Sequence, residues 1–192
     1  MKKINKRPAV FLDRDGVIIV EKEFQIDPKS IEFIDGSIDG LKNLGSEYIL
    51  AIVSNQSGVA RGYFSIDDVI KLNRALDAKL KVAGITISGW YSCPHGPEDG
   101  CACRKPKPGL FLRAATDLDI DLERSWMIGD KSSDIAAGRG IGAKTILVET
   151  GYGGKEKGAL SVEPDFIAAD LKEAVGIIKA LGKFRIKKPF SI

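Results

Sequence analysis

Two aspartates follow the first apolar run of the chain. Asp13 and Asp15 are separated by one residue, come directly after Ala9–Leu12, and are followed by Gly16. The apolar run predicts a short buried strand, and the aspartates then lie at its carboxyl end, where parallel sheets bind their ligands. Two carboxylates at such a place repel each other unless a cation lies near them. The spacing therefore indicates a metal site and, through the metal, a phosphate site, although Asp and Gly are also ordinary turn residues.

Two further predicted strands end in polar residues. The apolar run 48–53 is followed by hydroxyl and amide side chains, and the run 125–128 ends just before Asp130 and Lys131. Hydroxyls, amides and backbone N–H groups at a strand end suit phosphate oxygens, although a plain strand-to-helix turn has a similar composition. The polar residues after the run 48–53 are Ser54, Asn55, Gln56 and Ser57.

All three cysteines and the only histidine of the chain lie in one loop. They follow the pattern C-x-H-x5-C-x-C as Cys93, His95, Cys101 and Cys103. Three thiolates and one imidazole complete a tetrahedral Zn²⁺ site, and a site without an open position is structural rather than catalytic. Three free cysteines in a surface loop are the alternative, but their clustering favours a zinc-binding loop over 93–103.

Two cations follow the zinc loop directly, Arg104 and Lys105. A basic run is usually a solvated surface. Beside a phosphate site, however, Lys supplies a compact charge for the transferring phosphoryl group, and Arg supplies a planar fork for a second anionic group. We therefore interpret both residues as part of the site.

Apolar runs alternate with helical patterns along the chain. The helix over 65–82 is the clearest, with Ser65 as its N-cap, and Ser37 is a plausible N-cap for a shorter helix. This alternation predicts an α/β fold, a doubly wound, Rossmann-like, mostly parallel sheet with helices on both faces. The predicted strands cover 9–12, 48–53, 85–92, 125–128, 144–148 and 164–168, and the predicted helices 37–45, 65–82, 108–118, 135–140 and 171–181.

The length of 192 residues predicts one domain, which we take as 1–192. The stretch 21–35 is polar and irregular, and Pro28 argues against a helix there. We interpret it as part of a predicted flap over 17–35. Glycines at 151–154 mark a loop, and the basic end 183–192 has no pattern and is expected to be frayed surface.

Composition and charge exclude several classes of function. The net charge of +3 is too small and too dispersed to indicate nucleic acid. The start 1–7 is basic, but the apolar run after it ends at Leu12, too soon for a secretion signal, and no stretch is long enough to span a membrane. Scarce cysteine favours a cytosolic protein with a metal site. We expect a cytoplasmic monomer that acts on a small molecule, with no nucleic-acid or membrane partner.

The motifs taken together resemble the haloacid dehalogenase superfamily of phosphatases. They are FLDRDG at 11–16, SNQSG-x-ARG at 54–62, a CPH…C-x-CRKP zinc loop at 93–106 and GD-x-x-x-D at 129–134. Within the superfamily the chain is similar to the small branch that holds the heptose bisphosphate and histidinol phosphate phosphatases. This resemblance covers most of residues 8–150 and implies a fold without a large cap domain.

The resemblance implies a role for each matching residue. Asp13 is the nucleophile that forms an aspartyl-phosphate, and Asp15 is first the general acid and then the base. Ser54 and Lys105 hold the phosphoryl oxygens. Catalytic Mg²⁺ is bound by the carboxylates of Asp13 and Asp130 and by the main-chain carbonyl of Asp15, while Zn²⁺ is structural.

The resemblance also implies a substrate side of the site, with the flap beside its entrance. Asp134 is expected to orient Lys131 or a metal-bound water, without being a metal ligand. The expected substrate-binding residues are Arg14, Glu21, Lys22, Glu23, Phe24, Asn55, Gln56, Ser57, Arg104 and Lys131.

Three functions remain open at this stage. The leading expectation is a Mg²⁺-dependent phosphatase that removes the 7-phosphate of D-glycero-D-manno-heptose 1,7-bisphosphate, a precursor of the lipopolysaccharide core, with the second anion beside Arg104. The alternative is a histidinol-phosphate phosphatase, whose cationic substrate would want a carboxylate such as Glu21 or Glu23. A phosphate-binding module without turnover ranks lowest, because Asp13, Asp15 and Lys105 are all present. The sequence gives no preference for either anomer.

Overall fold

Six parallel strands form one sheet, in the order β3-β2-β1-β4-β5-β6. The computed structural model describes residues 6–24, 26–44, 47–158 and 160–184. The chain runs outward from β1 to β3 and then returns to the other side of β1, so the winding reverses between β1 and β4. The strands are β1 (Ala9–Leu12), β2 (Ile49–Asn55), β3 (Gly89–Cys93), β4 (Trp126–Gly129), β5 (Lys144–Val148) and β6 (Phe166–Ala168).

Helices cover both faces of this sheet. Side chains of a strand alternate between faces, so Val10 and Leu12 of β1 pack with α1, α2 and α6, whereas Phe11 packs with α3 and α4 on the opposite face. The predicted doubly wound α/β fold is therefore confirmed. The helices are α1 (Ser37–Leu44), α2 (Ile66–Val82), α3 (Gly109–Asp117), α4 (Ser132–Gly140), α5 (Gly153–Glu156) and α6 (Leu171–Phe184), with 3₁₀ turns at Pro28–Ser30, Pro97–Asp99 and Leu122–Arg124.

Of the two predicted N-cap residues, the structure confirms Ser65 but not Ser37. Ser65 caps α2 as expected, because its hydroxyl accepts from the amide of Asp68 while the Asp68 carboxylate accepts from the amide of Ser65. The N-cap prediction for Ser37 is wrong, since Ser37 is already the first residue of α1 and its buried hydroxyl has no hydrogen-bond partner among the described residues.

Several predicted boundaries also shift. The third strand begins at Gly89 instead of 85, because the amides of Gly84 and Ile85 donate back to carbonyls at the end of α2, and the ladder with β2 begins where Gly89 pairs with Ala51. The loop with Pro28 contains a 3₁₀ turn, and the glycine-rich loop after β5 contains the short helix α5. Of the predicted frayed end, 183–184 close α6 and 185–192 lie outside the described residues, as does Gly45 at the predicted end of α1.

The segment predicted as a flap is anchored at its base. Val17, Ile18 and Ile19 are fully buried, and the amide of Val20 donates to the carbonyl of Glu32, so the segment doubles back on itself. The part of the chain that the structure describes contains no separate cap domain. None of its helices is both long and apolar enough to cross a lipid bilayer.

Candidate active site

The carboxyl ends of β1 and β4 carry Asp13 and Asp130 side by side. Leu12 pairs with Ile128, and the amide of Asp13 donates to the Ile128 carbonyl at 3.0 Å. The two aspartates are 5% and 0% exposed. One carboxylate oxygen from each, together with one from Asp134, lies within 4.8 Å of the others. The reversal of the sheet thus brings together acidic groups that are distant in the sequence, at the place where such sheets bind ligands.

Asp130 is held by backbone and leaves one oxygen unused. Its Oδ2 accepts from the amide of Tyr152 at 2.9 Å, whereas its buried Oδ1 has no hydrogen-bond partner among the described residues. Gly16 and Gly151 pack directly against this carboxylate and both have positive φ, at 84° and 59°, so a Cβ at either position would be strained and would collide with it. A buried carboxylate oxygen without a partner is costly unless a ligand satisfies it.

The electrostatics of Asp130 indicate a missing positive charge. Burial, and then the negative charge of Asp13, raise the pKa of Asp130 to about 8. Both carboxylates can remain ionised near neutral pH only if a cation compensates them. Hard carboxylate oxygens are the ligands that Mg²⁺ prefers, so the donor set and the unused Oδ1 fit a magnesium ion.

The raised pKa predicts how stability responds to pH in Mg²⁺-free buffer. The folded protein holds the Asp130 proton up to about pH 8, while the unfolded chain releases it near its ordinary value of 3.8. The contribution of Asp130 to stability therefore falls as pH rises through this window, by about 1.4 kcal/mol per pH unit. Asp134, with its pKa raised by burial to about 6, and Cys101, with its pKa lowered to about 7, also change protonation near this range, so the contribution of Asp130 is measured as the difference between the unmodified protein and an Asp130→Asn variant.

Urea unfolding at pH 6, 7 and 8 measures this slope. The Asp130→Asn variant is expected to lose it, and saturating Mg²⁺ is expected to remove it from the unmodified protein, because the ion binds the ionised form. A pH dependence that is the same in the unmodified protein and in the Asp130→Asn variant, both in Mg²⁺-free buffer, would contradict the repulsion we describe.

Lys105 is the buried cation of the site. Its ammonium donates to the carbonyl of Val53 at 2.7 Å and lies 2.6 Å from a carboxylate oxygen of Asp134 and 3.1 Å from one of Asp13. Burial alone would lower the pKa of Lys105, but Asp13 and then Asp134 outweigh it and raise this pKa. Lys105 is only 3% exposed, and its ammonium stays charged beside Asp13, the candidate nucleophile.

Asp134 is paired with Lys105 and not with the side chain of Lys131. Its carboxylate accepts from the main-chain amide of Lys131 at 3.1 Å, so it also fixes the start of α4. Gly129 makes room for it, because a Cβ there would collide with the Asp134 side chain. An oxygen of Asp134 also lies within 4.8 Å of oxygens of Asp13 and Asp130, but Lys105 lies closer to Asp134, at 2.6 Å, than to Asp13, at 3.1 Å.

Asp15 lies next to Asp13 and is held from two sides. The guanidinium of Arg14 donates to both of its carboxylate oxygens, and the amide of Gln56 donates to its Oδ2 at 3.1 Å. The same amide donates to the hydroxyl of Ser54 at 2.7 Å. Gln56 therefore links two of the predicted catalytic residues, in addition to lining the cleft as expected.

The cleft in front of these groups has a volume of about 250 Å³. Asn55 lines it but also anchors the chain that carries Lys105, since its amide donates to the Lys105 carbonyl and its oxygen accepts from the Lys105 amide, both at 3.1 Å. Most predicted site residues lie in its wall. They are Asp13, Arg14, Asp15, Glu21, Glu23, Phe24, Ser54, Asn55, Gln56, Ser57, Lys105 and Lys131.

Two predicted substrate-binding residues lie outside this lining. Lys22 pairs with Glu32 at 2.8 Å and faces the neighbouring groove. Arg104, which directly follows the zinc loop, donates one guanidinium N–H to the carbonyl of His95 at 3.2 Å. Neither side chain is brought to the nucleophile candidate.

Lys131, which follows β4, forms an ion pair with Glu21 of the flap. Lys131 lies 3.2 Å from Glu21 and 4.6 Å from the centre of the Tyr152 ring. Burial raises the pKa of Glu21, and the positive charge of Lys131 opposes this rise. The pair connects the flap to the strand-end loop that carries Asp130.

Sequence reasoning missed Gly58, Ser133 and Tyr152, which also line the cleft. Ser133 follows Lys131 at the start of α4, and Tyr152 follows β5, so both belong to the edge of the sheet where the other site residues lie. The position of the glycine-rich loop after β5 was a usable signal for Tyr152. The glycines on both sides of Tyr152, however, are also typical of an ordinary loop.

The predicted zinc ligands converge on one point. The Sγ atoms of Cys93, Cys101 and Cys103 are 3.2–3.8 Å apart, and Nδ1 of His95 is 3.6 Å from Cys93 and 3.2 Å from Cys103. Tetrahedral bonds of about 2.3 Å to zinc place sulfurs about 3.8 Å apart, whereas disulfide sulfurs lie about 2.05 Å apart. Burial raises the pKa of Cys93 to about 12, so a thiolate there requires a cation. The donor set fits Zn²⁺.

Comparisons with known proteins agree with this geometry. A family model described as HAD-hydrolase-like matches residues 102–174. The chain is 39% identical to a D-glycero-beta-D-manno-heptose-1,7-bisphosphate 7-phosphatase of Pasteurella multocida, over 91% of this chain and 98% of that protein. It is 44% identical to the Vibrio cholerae protein of the same name, over 79% of this chain and 87% of that one.

A solved structure shares the whole fold. The D,D-heptose 1,7-bisphosphate phosphatase from B. bronchiseptica, in complex with magnesium and phosphate, superposes with a TM-score of 0.82 at 30% identity. The match covers 91% of this chain and 99% of that one.

Proposed function

The chain belongs to the haloacid dehalogenase-like phosphatases, in the branch of the D-glycero-beta-D-manno-heptose-1,7-bisphosphate 7-phosphatases, and we propose that it removes the 7-phosphate of that sugar bisphosphate. It is a hydrolase of phosphate monoesters. The beta anomer is the proposed substrate because the relatives are named for it. The reaction would serve the lipopolysaccharide precursor pathway.

One observation carries the proposal. The buried carboxylates of Asp13 and Asp130 share the reversal point of the sheet, with Oδ1 of Asp130 unsatisfied and the Lys105 ammonium 3.1 Å from Asp13. A nucleophilic carboxylate, a place for a cation and a fixed positive charge are the parts that phosphoryl transfer needs. A binding module without turnover has no use for this costly arrangement.

Asp13 begins the reaction as the nucleophile. Its carboxylate oxygen forms a bond to the phosphorus of the 7-phosphate while the bond from phosphorus to the sugar oxygen breaks. Asp15 gives a proton to that leaving oxygen, so the sugar departs as a neutral alcohol. Lys105 and the hydroxyl of Ser54 stabilise the charge on the phosphoryl oxygens.

Asp15 completes the reaction as a base. It accepts a proton from a water molecule, which forms a bond to the phosphorus of the aspartyl-phosphate. The bond from phosphorus to Asp13 breaks, inorganic phosphate leaves, and Asp13 returns to its carboxylate form. Asp15 is protonated again and ready for the next substrate.

The Mg²⁺ ion would be held by the carboxylates of Asp13 and Asp130 and by the main-chain carbonyl of Asp15. When bound, it neutralises the negative charge that separates the nucleophile from the phosphate. Lys131 adds a second positive charge to the cleft. Arg104 is the proposed partner of the 1-phosphate, because a guanidinium has five N–H donors and the bond to the His95 carbonyl uses one of them.

The same cleft argues against histidinol phosphate. Glu21, one of two carboxylates expected to meet the cationic amine of that substrate, pairs with Lys131 at 3.2 Å. The second, Glu23, lines the cleft but is exposed to solvent. An amine would have to break the Glu21–Lys131 pair or accept a solvent-screened partner, and both weaken its binding.

Phosphate release from matched substrates tests this proposal. With Mg²⁺ present, kcat/KM on the beta heptose 1,7-bisphosphate is expected to exceed that on histidinol phosphate by at least about 100-fold, the contribution of one lost charged contact in the cleft. The alpha anomer is a matched control for recognition at C1. Equal or greater kcat/KM on histidinol phosphate would overturn the substrate assignment, and no release from any phosphomonoester would overturn the enzyme assignment.

We also propose that the cluster of Cys93, His95, Cys101 and Cys103 holds one structural Zn²⁺. This cluster needs reduced thiols, which supports a cytoplasmic location. A monomer remains our proposal for the assembly, and sedimentation of the purified chain measures it.

A further inference from the structure

The acid–base candidate Asp15 does not stand free in the cleft. Nε of Arg14 donates to its two carboxylate oxygens, both at 3.1 Å, and Nη2 donates to Oδ2 at 2.8 Å. The side chain of Asp15 is 14% exposed and that of Arg14 is 1% exposed. The orientation of the Asp15 carboxylate is therefore set by a buried guanidinium behind it.

The guanidinium is itself fixed by a residue outside the cleft. Nη1 of Arg14 donates to Oδ1 of Asn73 at 2.8 Å. Because a guanidinium has only donors, Asn73 must present its oxygen to Arg14, and its amide nitrogen then faces the Ser92 hydroxyl at 3.4 Å. The three groups Asn73, Arg14 and Asp15 form one continuous chain of hydrogen bonds.

Helix α2 gives Asn73 a rigid support. Val69, Leu72 and Leu76 of the same helix are fully buried, and Asn73 lies beside this apolar stripe, facing the end of β3. A polar residue at the border of a buried stripe needs a partner, and Arg14 supplies it. The site described above, and the mechanism proposed for it, make no use of Asn73.

We propose that Asn73 is a positioning residue for the proton transfers of Asp15 and that it acts through Arg14. The inference rests on the proposed phosphatase function. Asp15 must present its carboxyl group first to the leaving oxygen and then to the attacking water, and small misplacements of a general acid are costly. Without the Asn73 oxygen, the buried guanidinium has an unsatisfied N–H and turns to find another acceptor, which moves the carboxylate that it grips.

The dependence on the leaving group separates positioning from a general loss of structure. A sugar alcohol leaves poorly and needs the proton of Asp15, whereas p-nitrophenolate leaves without it. The Asn73→Leu variant keeps the branched shape and the number of side-chain heavy atoms but removes the acceptor. Its kcat/KM is expected to fall by about 10- to 100-fold on the heptose bisphosphate and by less than about 3-fold on p-nitrophenyl phosphate. The Asn73→Asp variant keeps an acceptor oxygen and is expected to restore the heptose bisphosphate reaction to within about 3-fold.

Arg74→Ala is the matched control, because Arg74 is the next residue of α2, is exposed, and does not contact Arg14. It is expected to leave both reactions within about 2-fold. Circular dichroism and zinc content of each variant check the fold, and Asn73→Ala provides the same comparison if the leucine is not accommodated.

Three outcomes overturn the inference. An equal loss on both substrates would show a structural role alone, and no loss would show that Asn73 is dispensable. Failure of the Asn73→Asp variant to restore activity would show that the acceptor oxygen is not what matters. Absence of turnover by the unmodified enzyme on both substrates would instead contradict the proposed function, so the two failures can be told apart.

Discussion

The Asp13→Asn variant is expected to lose at least about 10⁴-fold in kcat, a loss of the size seen when a catalytic unit loses an essential member. An amide nitrogen and a neutral amide oxygen are poor nucleophiles toward phosphorus, so the aspartyl-phosphate cannot form. The substitution keeps the shape of a side chain that is 5% exposed, and it removes negative charge from a crowded acidic site. Phosphate release from the heptose bisphosphate measures the loss.

Formation of the aspartyl-phosphate can be observed directly. Acid-quenched enzyme incubated with substrate labelled at the 7-phosphate is expected to retain covalent label, and the Asp13→Asn variant to retain none. Glu98→Gln is the matched control, because Glu98 is exposed and lies on the zinc loop away from the cleft. Retained turnover by a folded Asp13→Asn variant would remove Asp13 as the nucleophile.

Loss of zinc is the second change with a large expected effect. Structural Zn²⁺ sites of this kind contribute about 10–16 kcal/mol, and the loop 93–103 has only one 3₁₀ turn as regular structure of its own. Lys105 follows this loop directly. Its place beside Asp13 depends on the course of the chain after Cys103 and on the two hydrogen bonds that its backbone forms with the Asn55 side chain.

The Cys101→Ser variant is therefore expected to lose both zinc and activity. Metal analysis is expected to fall from about one Zn²⁺ per chain to almost none, and kcat by at least about 100-fold, the usual effect of removing one group that stabilises the transition state. Cys101 is a suitable ligand to replace, because it is only partly buried and contributes less to the core than Cys93. A zinc-free protein that is fully folded and fully active would refute the zinc argument.

Local sequence patterns identified most of the strands and the groups at their ends. A buried strand is a short apolar run, and a strand-end turn is the polar segment that follows it, so Asp13 and Ser54 could be placed without any long-range information. The same holds for the zinc ligands, because a loop that contains all four donors within a few residues needs no other part of the fold. The capping box of Ser65 and Asp68 is local for the same reason.

Where prediction from sequence failed, contacts from elsewhere in the chain had decided the local structure. Ser37 has the residue type of an N-cap, but it lies inside the first turn of α1, where its hydroxyl is buried by the rest of the fold and has no hydrogen-bond partner in the part of the chain that the structure describes. The third strand is shorter than its β-branched pattern, because the amide of Ile85 donates back to the end of α2, which holds the first part of the pattern against the helix.

The sequence by itself determined the fold class and the family, and it predicted the ligands of both metal sites and the reacting groups, because each of these features is encoded in a short segment. Only the tertiary structure decided that Asp134 pairs with Lys105, that Tyr152 lines the cleft, and that Asn73 and Arg14 stand behind Asp15. These contacts join residues from different elements through flexible side chains. The orientation of these side chains depends on burial and on which donors and acceptors remain unpaired. Neither is defined before the helices and strands have packed.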